Sequence, residues 1–346
     1  MSFSASPTPA VKPVTNERLN KLLWGFAPSC MIHAAVQNRI FDTLDAGPGT
    51  IASVAAATGC SVRGVRGLLE ALAAMEVLVR DGDRFTLAPD TAAFLVRGKP
   101  TYLGGMVDHT AGQLMSTWMT LDESVRTGRP SQAVNRQKGG AEFFENFVED
   151  LFNLNYASAA ALAGELAPAL ADVKPPLTVL DIAAGSGVWS MPLIKLVANA
   201  QAVAVDFPEV TAVTRRVYKR HGLESRLRTI EGDIDIVDFG AGHRVAFLGH
   251  ILHSEGEERS RRLLKKVYRS LAPGGIVAIA EFVPADDRSG PPQPLVFALN
   301  MLLHTDEGDT FTFGQMTSWL REAGFVEARQ FPIPAPSPIL LAKKPV

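Results

Sequence analysis

An apolar strand that runs directly into a glycine turn constrains this fold more than any other feature. Residues 179–187 read Val-Leu-Asp-Ile-Ala-Ala-Gly-Ser-Gly, and a helical pattern follows them. Glycine lets the backbone approach a ligand closely, and ligands of parallel α/β sheets lie at the carboxyl ends of the strands. Short apolar strands and amphipathic helices then alternate to the C-terminus. The pattern predicts an α/β, Rossmann-like domain whose mostly parallel sheet is covered by helices.

The periodicity of the C-terminal half assigns the individual elements of this sheet. Seven strands are predicted, and the last two form a hairpin at the sheet's edge: Thr178–Ile182, Gln201–Val205, Leu227–Glu231, Val245–Leu248, Ile276–Phe282, Val326–Phe331 and Pro338–Ala342. Four helices are predicted between them: Val188–Val197, Val210–His221, Gly256–Leu271 and Phe313–Ala323.

Acidic residues near the glycine turn indicate the kind of ligand. Asp206 ends the next strand, nineteen residues past Gly187, where it can accept hydrogen bonds from ribose hydroxyls. A dinucleotide site has the same glycine turn and downstream acid, so a nicotinamide-dependent reductase stays open as an alternative. However, Ser190 replaces the third glycine of that fingerprint, and Asp181, four residues before Gly185, suits a cationic amino-acid group held through water. These details favour S-adenosylmethionine.

A third acid, Asp233 in Glu231-Gly-Asp-Ile, is predicted to close the next strand. Asp233 is expected near the adenine of the cofactor, with Ile234 beneath the base. Taken alone, a solvated turn aspartate explains Asp233 as well.

Two histidines follow the strand at Val245–Leu248. His250 and His253 are three residues apart, but no further ligand lies nearby in the sequence, so a metal site is not predicted. His253 falls just beyond the strand on the ligand side, where catalytic groups belong in this architecture. One histidine is expected to act as a base, and His253 is the candidate.

The N-terminal region has the order of a winged helix-turn-helix. Apolar residues recur at helical spacing over Glu17–Leu44 with a break at Pro28, and two further helices and a strand pair around Asp81-Gly-Asp follow. Such modules often bind DNA, but the second helix has no basic cluster and the net charge is −2. Phosphate contacts need a positive surface. Residues 17–100 are therefore predicted to form a homodimer rather than to bind nucleic acid.

Residues 101–170 are predicted to be helical and rich in aromatic residues and methionine. Most of these side chains belong to the core, although a segment joining two domains is also where pockets for flat organic ligands form. The predicted division is a tail at 1–16, the winged helix at 17–100, a helical linker at 101–174 and the ligand-binding domain at 175–346. The candidates for lining a substrate pocket are Trp118, Phe147, Leu151, Phe297, Asn300, Met301 and His304.

Cysteine content and hydropathy indicate the compartment. Only Cys30 and Cys60 are present, in apolar surroundings, which favours reduced thiols over disulfides or a metal site. No basic start followed by an apolar run opens the chain, and no apolar stretch reaches the ~18 residues that cross a bilayer. A cytoplasmic protein without a membrane segment is expected.

Several motifs together resemble one family, the plant-type and bacterial small-molecule O-methyltransferases. They are Leu180-Asp-Ile-Ala-Ala-Gly-Ser-Gly, Val205-Asp-Phe-Pro-Glu-Val, Ile251-Leu-His-Ser, Leu271-Ala-Pro-Gly-Gly, Ala280-Glu-Phe-Val-Pro and the segment 298–312. The resemblance implies a winged-helix dimerisation domain before a class I methyltransferase domain, with His253 as general base and Glu281 beside it. It also implies cofactor contacts from Asp181, Gly185, Gly187, Asp206, Phe207, Asp233 and Ile234.

The chain departs from the family pattern at two positions. Ser254 stands where an aspartate often follows the histidine, and Thr310 stands where plant enzymes have a second glutamate. These departures leave open C-, N- or S-methylation and members that bind the cofactor without transferring methyl. A winged-helix regulator that senses a ligand is the alternative from another class.

The expected chemistry places an acceptor oxygen in line with the methyl group of S-adenosylmethionine. A phenol of pKa near 10 is mostly neutral at pH 7, so an imidazole, whose ordinary pKa is ~6.5, can take its proton during transfer. Glu281 would fix the tautomer of His253 and stabilise the imidazolium.

Overall fold

The chain divides into two compact units, Met1–Val96 and Arg97–Val346. The computed structural model describes residues 14–131, 140–333 and 337–346, and it leaves undescribed the side chains of residues 140–147, 149 and 150. The functional division at residues 16, 100 and 174 stays a prediction. Within the described ranges, no helix is both long and apolar enough to cross a membrane.

The first unit is mainly helical and carries a small sheet. Its elements are α1 (Glu17–Leu23), α2 (Ala27–Gln37), α3 (Ile40–Asp45), β1 (Gly49–Thr50), α4 (Ile51–Thr58), α5 (Val62–Ala74), β2 (Leu78–Asp81), β3 (Arg84–Leu87) and α6 (Pro89–Phe94). The three strands pair in antiparallel fashion in the order β1-β3-β2. The predicted winged helix is confirmed.

Local sequence signals account for the helix ends in this unit. The hydroxyl of Thr50 accepts from the Ser53 N–H at the start of α4, and that of Ser61 accepts from Gly64 at the start of α5. Capping of this kind satisfies N–H groups that have no partner within the helix. The predicted break at Pro28 was misplaced, because the chain leaves the helix after Leu23 and Pro28 lies in the first turn of α2. Proline is tolerated there, since its missing N–H is not needed.

The second unit begins with helices and continues as an alternating α/β domain. Its elements are α7 (Gly104–Asp108), a π-helical stretch (His109–Leu114), α8 (Met115–Trp118), α9 (Leu121–Thr127), α10 (Gly140–Leu170), β4 (Leu177–Ile182), α11 (Met191–Leu196), β5 (Ala200–Asp206), α12 (Pro208–Arg220), a 3₁₀ turn (Glu224–Arg226), β6 (Leu227–Glu231), β7 (His243–Gly249), α13 (Leu252–Ser270), β8 (Leu271–Ala280), α14 (Pro292–His304), α15 (Phe313–Ala323), β9 (Val326–Phe331) and β10 (Ile339–Lys343).

The seven strands form one sheet in the order β6-β5-β4-β7-β8-β10-β9. The pairs from β6 to β8 are parallel, and β10 runs antiparallel to both of its neighbours. The predicted mostly parallel sheet with a terminal hairpin is confirmed. Several predicted bounds differ from the structure by a few residues, β8 starts at Leu271, where its register with β7 shifts, and α14 was not predicted as a helix.

Alternation along the strands separates two hydrophobic cores. Val179 points into the cluster that also contains side chains of α10, α11 and α12, whereas Leu180 joins the cluster with α13 and α15. Successive strand side chains point to opposite faces, so Asp181 lies on the same face as Val179. The sheet grows outward from β4 in both directions, to β5 and to β7. A crevice for ligands forms at such a reversal, outside the carboxyl ends of the strands.

Candidate active site

The carboxyl ends of four neighbouring strands carry polar side chains. Asp181 lies at the end of β4, Asp206 ends β5, and His250 follows β7 directly. Glu281 comes immediately after β8. Because these strands are parallel, the ends meet at one edge of the sheet. The structure therefore brings together residues that the sequence separates by up to a hundred positions.

The glycine turn is built on backbone that favours glycine. Gly185 and Gly187 have φ values of +55° and +75°. A Cβ on Gly187 would lie 2.6 Å from the ring of Tyr218, so this position also lacks the space for a side chain. The Thr214 hydroxyl donates to the Gly185 carbonyl at 2.6 Å. The turn is thus held from α12 and exposes its backbone at the edge of the sheet.

Asp181 is completely buried behind this turn. Its Oδ2 accepts from the Ser190 N–H at 3.1 Å and from the Ser190 hydroxyl at 2.5 Å. Within the described chain, the buried Oδ1 has no hydrogen-bond partner. Burial raises the pKa of Asp181 to about 7. The two Ser190 donors lower this pKa, and the charge of Asp206 raises it. A buried acceptor without a donor fits a ligand that supplies one, directly or through water.

Asp206 faces the glycine turn and holds its backbone. Its Oδ2 accepts from the Gly185 N–H at 2.9 Å and its Oδ1 from the Phe207 N–H at 2.8 Å. Burial raises the pKa of Asp206 to about 6, although the two backbone donors lower it. A carboxylate has about four acceptor positions, so both oxygens keep capacity for ribose hydroxyls.

The other expected cofactor contacts lie in the turns after β5 and β6. Phe207 caps α12 and is half exposed. Asp233 does not end the strand as expected, since β6 ends at Glu231; its Oδ1 accepts from the Asp235 N–H at 2.8 Å. Arg259 lies 3.8 Å from the same oxygen. Ile234 is almost fully buried. Local turn bonding therefore explains part of the environment of Asp233.

His253 and Glu281 form a buried pair. The Nδ1 of His253 lies 2.8 Å from Glu281 Oε2, and the His253 N–H donates to Oε1 at 3.2 Å. Burial alone would raise the pKa of Glu281, but the charge and hydrogen bonds of His253 outweigh it and hold that pKa below its ordinary value. An ionised carboxylate only accepts, so Nδ1 carries a proton. The Nε2 lone pair of a neutral His253 is then available as a base.

His250 differs from His253 in both geometry and charge. It has a left-handed φ of +61°, and its Nε2 lies 2.8 Å from the Ser337 hydroxyl. Burial lowers the pKa of His250 to about 4, although Glu281 raises it. His250 is therefore neutral at physiological pH and already engaged at Nε2.

Aromatic side chains lie beside His253. The ring of Phe297 meets the imidazole edge-on at 5.0 Å between centroids, and Phe282 lies 4.1 Å from Phe297. Asn300 is one turn further along α14, and its Oδ1 accepts from the Trp118 indole N–H at 3.2 Å. The two phenylalanine rings place flat apolar surface beside the candidate base, and the Asn300 amide is held by Trp118 on the same helix as Phe297.

The remaining pocket candidates are only partly connected to this surface. Met301 and His304 are buried on α14, and the Nδ1 of His304 donates to the Asn300 carbonyl at 2.8 Å. Residues four and seven positions after Phe297 share its helix face, so Met301 and His304 belong to that face. Leu151 is half-buried on α10, and the side chain of Phe147 lies outside the described residues.

At the two departures from the family motif, the side chains that stand in place of the acids donate to backbone carbonyls. The Ser254 hydroxyl donates to the Ile251 carbonyl at 2.9 Å. The buried Thr310 hydroxyl donates to the Pro294 carbonyl at 3.1 Å. In the part of the chain that the structure describes, Glu281 is the carboxylate that hydrogen-bonds His253.

Two residues of the site were missed in the sequence. Phe282 follows Glu281 directly, so its position next to a candidate acid was a usable signal. Tyr218 had no such signal, because it lies on α12 and reaches Ser190 only through the packing of that helix on the sheet; its hydroxyl is 2.8 Å from the Ser190 hydroxyl.

Two O-methyltransferase family models match the chain. The O-methyltransferase domain model matches residues 118–326, and the O-methyltransferase dimerisation domain model matches residues 20–97. The chain is 30% identical over 316 residues to 3-hydroxy-5-methyl-1-naphthoate 3-O-methyltransferase of Streptomyces sahachiroi, covering 90% of each chain.

Two solved structures resemble it over most of their length. The structure of a putative O-methyltransferase from Nostoc punctiforme has 25% identity and a TM-score of 0.86, and the match covers 96% of this chain and 100% of that chain. PigF with SAH has 25% identity and a TM-score of 0.80, covering 96% of this chain and 100% of its own. Both share the fold described above.

Proposed function

The chain belongs to the O-methyltransferase family and is S-adenosylmethionine-dependent, and on that premise we propose that it methylates a hydroxyl of a small aromatic molecule with His253 as general base. The observation that carries the proposal is the buried His253–Glu281 pair, 2.8 Å apart, beside the Phe282 and Phe297 rings. A base with its second nitrogen available next to flat apolar surface suits a phenolic acceptor.

The residues at the sheet edge fit the cofactor. The buried Oδ1 of Asp181 lacks a donor, and the oxygens of Asp206 keep acceptor capacity for ribose hydroxyls. The proposed cofactor site consists of Asp181, Gly185, Gly187, Asp206, Phe207, Asp233 and Ile234. When bound, S-adenosylmethionine supplies an electrophilic methyl group on a sulfonium.

The chain's own part in the reaction is positioning and proton transfer. The acceptor hydroxyl donates to His253 Nε2, and its proton moves to that nitrogen as the oxygen is methylated. Glu281 holds the ring in the tautomer with a proton on Nδ1 and stabilises the imidazolium that forms. Phe297 and Asn300 are proposed to orient the acceptor, together with Trp118, Phe147, Leu151, Met301 and His304.

The aromatic acceptor is supported by the relative whose name specifies a hydroxylated naphthoate. Among the residues that the structure describes, no particular contact favours carbon, nitrogen or sulfur as the acceptor atom over oxygen. We also propose a homodimer formed through the first unit, which the dimerisation model over residues 20–97 supports. A cytoplasmic location suits the two cysteines as reduced thiols.

Replacing His253 tests the proposal. His253→Ala should leave cofactor affinity nearly intact and lower turnover of a weakly acidic phenol by ~10²–10⁴. A more acidic phenol, already ionised at the assay pH, should lose much less. His221→Ala, at the exposed end of α12, is the matched control. If the His253 variant methylates the weakly acidic phenol at the native rate, the histidine is not the base.

A further inference from the structure

Three hydroxyl and carboxyl groups behind the glycine turn form a continuous buried chain. The Tyr218 hydroxyl lies 2.8 Å from the Ser190 hydroxyl, which lies 2.5 Å from Asp181 Oδ2. All three residues are completely buried. They come from three elements, namely β4, the residue before α11, and α12. The chain ends at the carboxylate whose other oxygen has no partner among the described residues.

The chemistry of the groups gives this chain one direction when Asp181 is ionised. A carboxylate only accepts, so the Ser190 hydroxyl must donate to Asp181. A serine hydroxyl has a single proton, so the Ser190 oxygen accepts the hydrogen bond that the Tyr218 hydroxyl donates. Burial raises the pKa of Tyr218 further above its ordinary value, so the phenol keeps its proton at physiological pH. With the Ser190 N–H, two donors converge on Oδ2.

We propose that Ser190 and Tyr218 are positioning residues for the cofactor, because their ordered hydrogen bonds hold the Asp181 carboxylate in its charged form and leave Oδ1 for the amino-acid end of S-adenosylmethionine. The inference rests on the proposed cofactor site. It adds a role for two side chains. Ser190 contacts Asp181 directly, and Tyr218 acts through the Ser190 hydroxyl.

Burial and the Ser190 donors act on the charge of Asp181 in opposite directions. Burial raises the pKa of Asp181 to about 7, while both Ser190 donors lower it. The charge of Asp206 also raises the pKa of Asp181, and the charge of Arg226 lowers the pKa of Tyr218. A protonated Asp181 would be a donor at one oxygen rather than an acceptor for an ammonium group. Weakening the chain should therefore weaken cofactor binding most near and below pH 7.

Calorimetry with S-adenosylhomocysteine between pH 5.5 and 7.5 tests the proposal in the full chain. Native affinity should rise with pH, and binding near pH 6.5 should release protons, seen by comparing buffers of different ionisation enthalpy. Ser190→Ala should weaken binding about tenfold at pH 6.5 and move the pH dependence up by about one unit, because it removes a hydrogen bond to a charged carboxylate. Tyr218→Phe should weaken it about threefold, in the same direction.

The double variant separates a hydrogen-bonded chain from general packing. Without Ser190 the Tyr218 hydroxyl no longer reaches Asp181, so the double variant should bind like Ser190→Ala alone. Ser270→Ala and Tyr156→Phe remove a buried serine hydroxyl and a tyrosine hydroxyl elsewhere in the unit, and should change neither affinity nor pH dependence. Additive losses, or losses equal at every pH, would overturn the proposal.

Asp181→Asn distinguishes the two levels of inference. If this variant binds S-adenosylhomocysteine like the native protein, the proposed cofactor site itself is wrong. If Asp181→Asn weakens binding but Ser190→Ala and Tyr218→Phe leave the pH dependence unchanged, the site stands and the positioning role fails. Thermal unfolding of each variant shows whether it is folded, and Tyr218→Phe keeps the ring that packs on Gly187.

Discussion

Replacing Glu281 by glutamine isolates the contribution of its charge to the reaction. The amide has nearly the same volume and can still present its one oxygen to the Nδ1–H of His253, which now contacts Oε2 at 2.8 Å, while the backbone N–H of His253, now 3.2 Å from Oε1, loses its acceptor. Glu281 is only 3% exposed, so water cannot readily substitute for the lost charge. We expect the variant to fold and to bind the cofactor normally while methylating slowly.

The expected loss follows from the interaction that forms when His253 accepts the proton. Two unit charges ~4 Å apart interact by ~4 kcal/mol at an effective dielectric constant of ~20. With Nδ1 and Oε2 in hydrogen-bond contact at 2.8 Å, the charge centres are separated by a comparable distance. Because each ~1.4 kcal/mol is a factor of ten in rate, ~10³ is a ceiling. Partial charge transfer in the transition state lowers it, so ~10²–10³ is expected.

The assay measures initial rates with a weakly acidic phenol and saturating S-adenosylmethionine. The pKa of His250 is about 4 and that of Glu281 lies below its ordinary value, so both groups keep one protonation state at the assay pH of ~8. In Glu281→Gln the rate at this pH should fall, because the carboxylate no longer stabilises the imidazolium.

A carboxylate far from His253 in the sequence provides the control. Glu165→Gln removes an exposed carboxylate on α10 that pairs with Arg329 at 2.6 Å, and should leave the rate unchanged. If Glu281→Gln retains at least half of the native turnover, charge stabilisation by Glu281 contributes little. The His253–Glu281 pair would then have only a structural role.

Three further outcomes are expected. Asp206→Ala should weaken S-adenosylmethionine binding by ~1.5–3 kcal/mol, the usual range for hydrogen bonds to a charged group, and unchanged affinity by calorimetry would contradict the ribose contact. Gly187→Ala should destabilise the protein by ~1–3 kcal/mol, because φ is +75° and the new Cβ meets Tyr218 at 2.6 Å; an unaltered midpoint in chemical denaturation would show that the turn relaxes. Leu23→Asp with Trp24→Asp should shift the dimer toward monomer in light scattering, since these exposed apolar side chains (72% and 66%) lie in the predicted dimerisation region; an unchanged dimer mass would place the interface elsewhere.

Much of the fold was predictable because its signals are local. The strand and glycine turn at 179–187 lie within one continuous segment, and the bounds of α15 and β9 agree with the periodicity of the sequence. The antiparallel placement of the last hairpin follows from its short connection. α14 was missed because its apolar residues occupy most of its circumference, so helical periodicity is weak in the stretch Pro292–His304.

Candidate site residues were predictable where the chemistry lies at a strand end. Asp206 and Glu281 follow apolar strands directly, and parallel strands bring such ends to one edge. The choice between His250 and His253 also follows from position relative to the strand, but its physical reason required the structure. His250 is buried against Ser337, 87 residues away, and its pKa is about 4, whereas His253 is paired with Glu281.

Local patterns in the sequence specify most of the secondary structure, the parallel sheet and the strand ends at which polar groups gather, because hydrophobic period and turn residues act over a few positions. Packing in three dimensions specifies which partner each polar atom has. Tyr218 reaches Ser190 across 28 residues because α12 packs its buried face on the sheet beside the glycine turn. Such a contact depends on the rotation of a helix about its axis and on its position over the strands, and no local pattern specifies either.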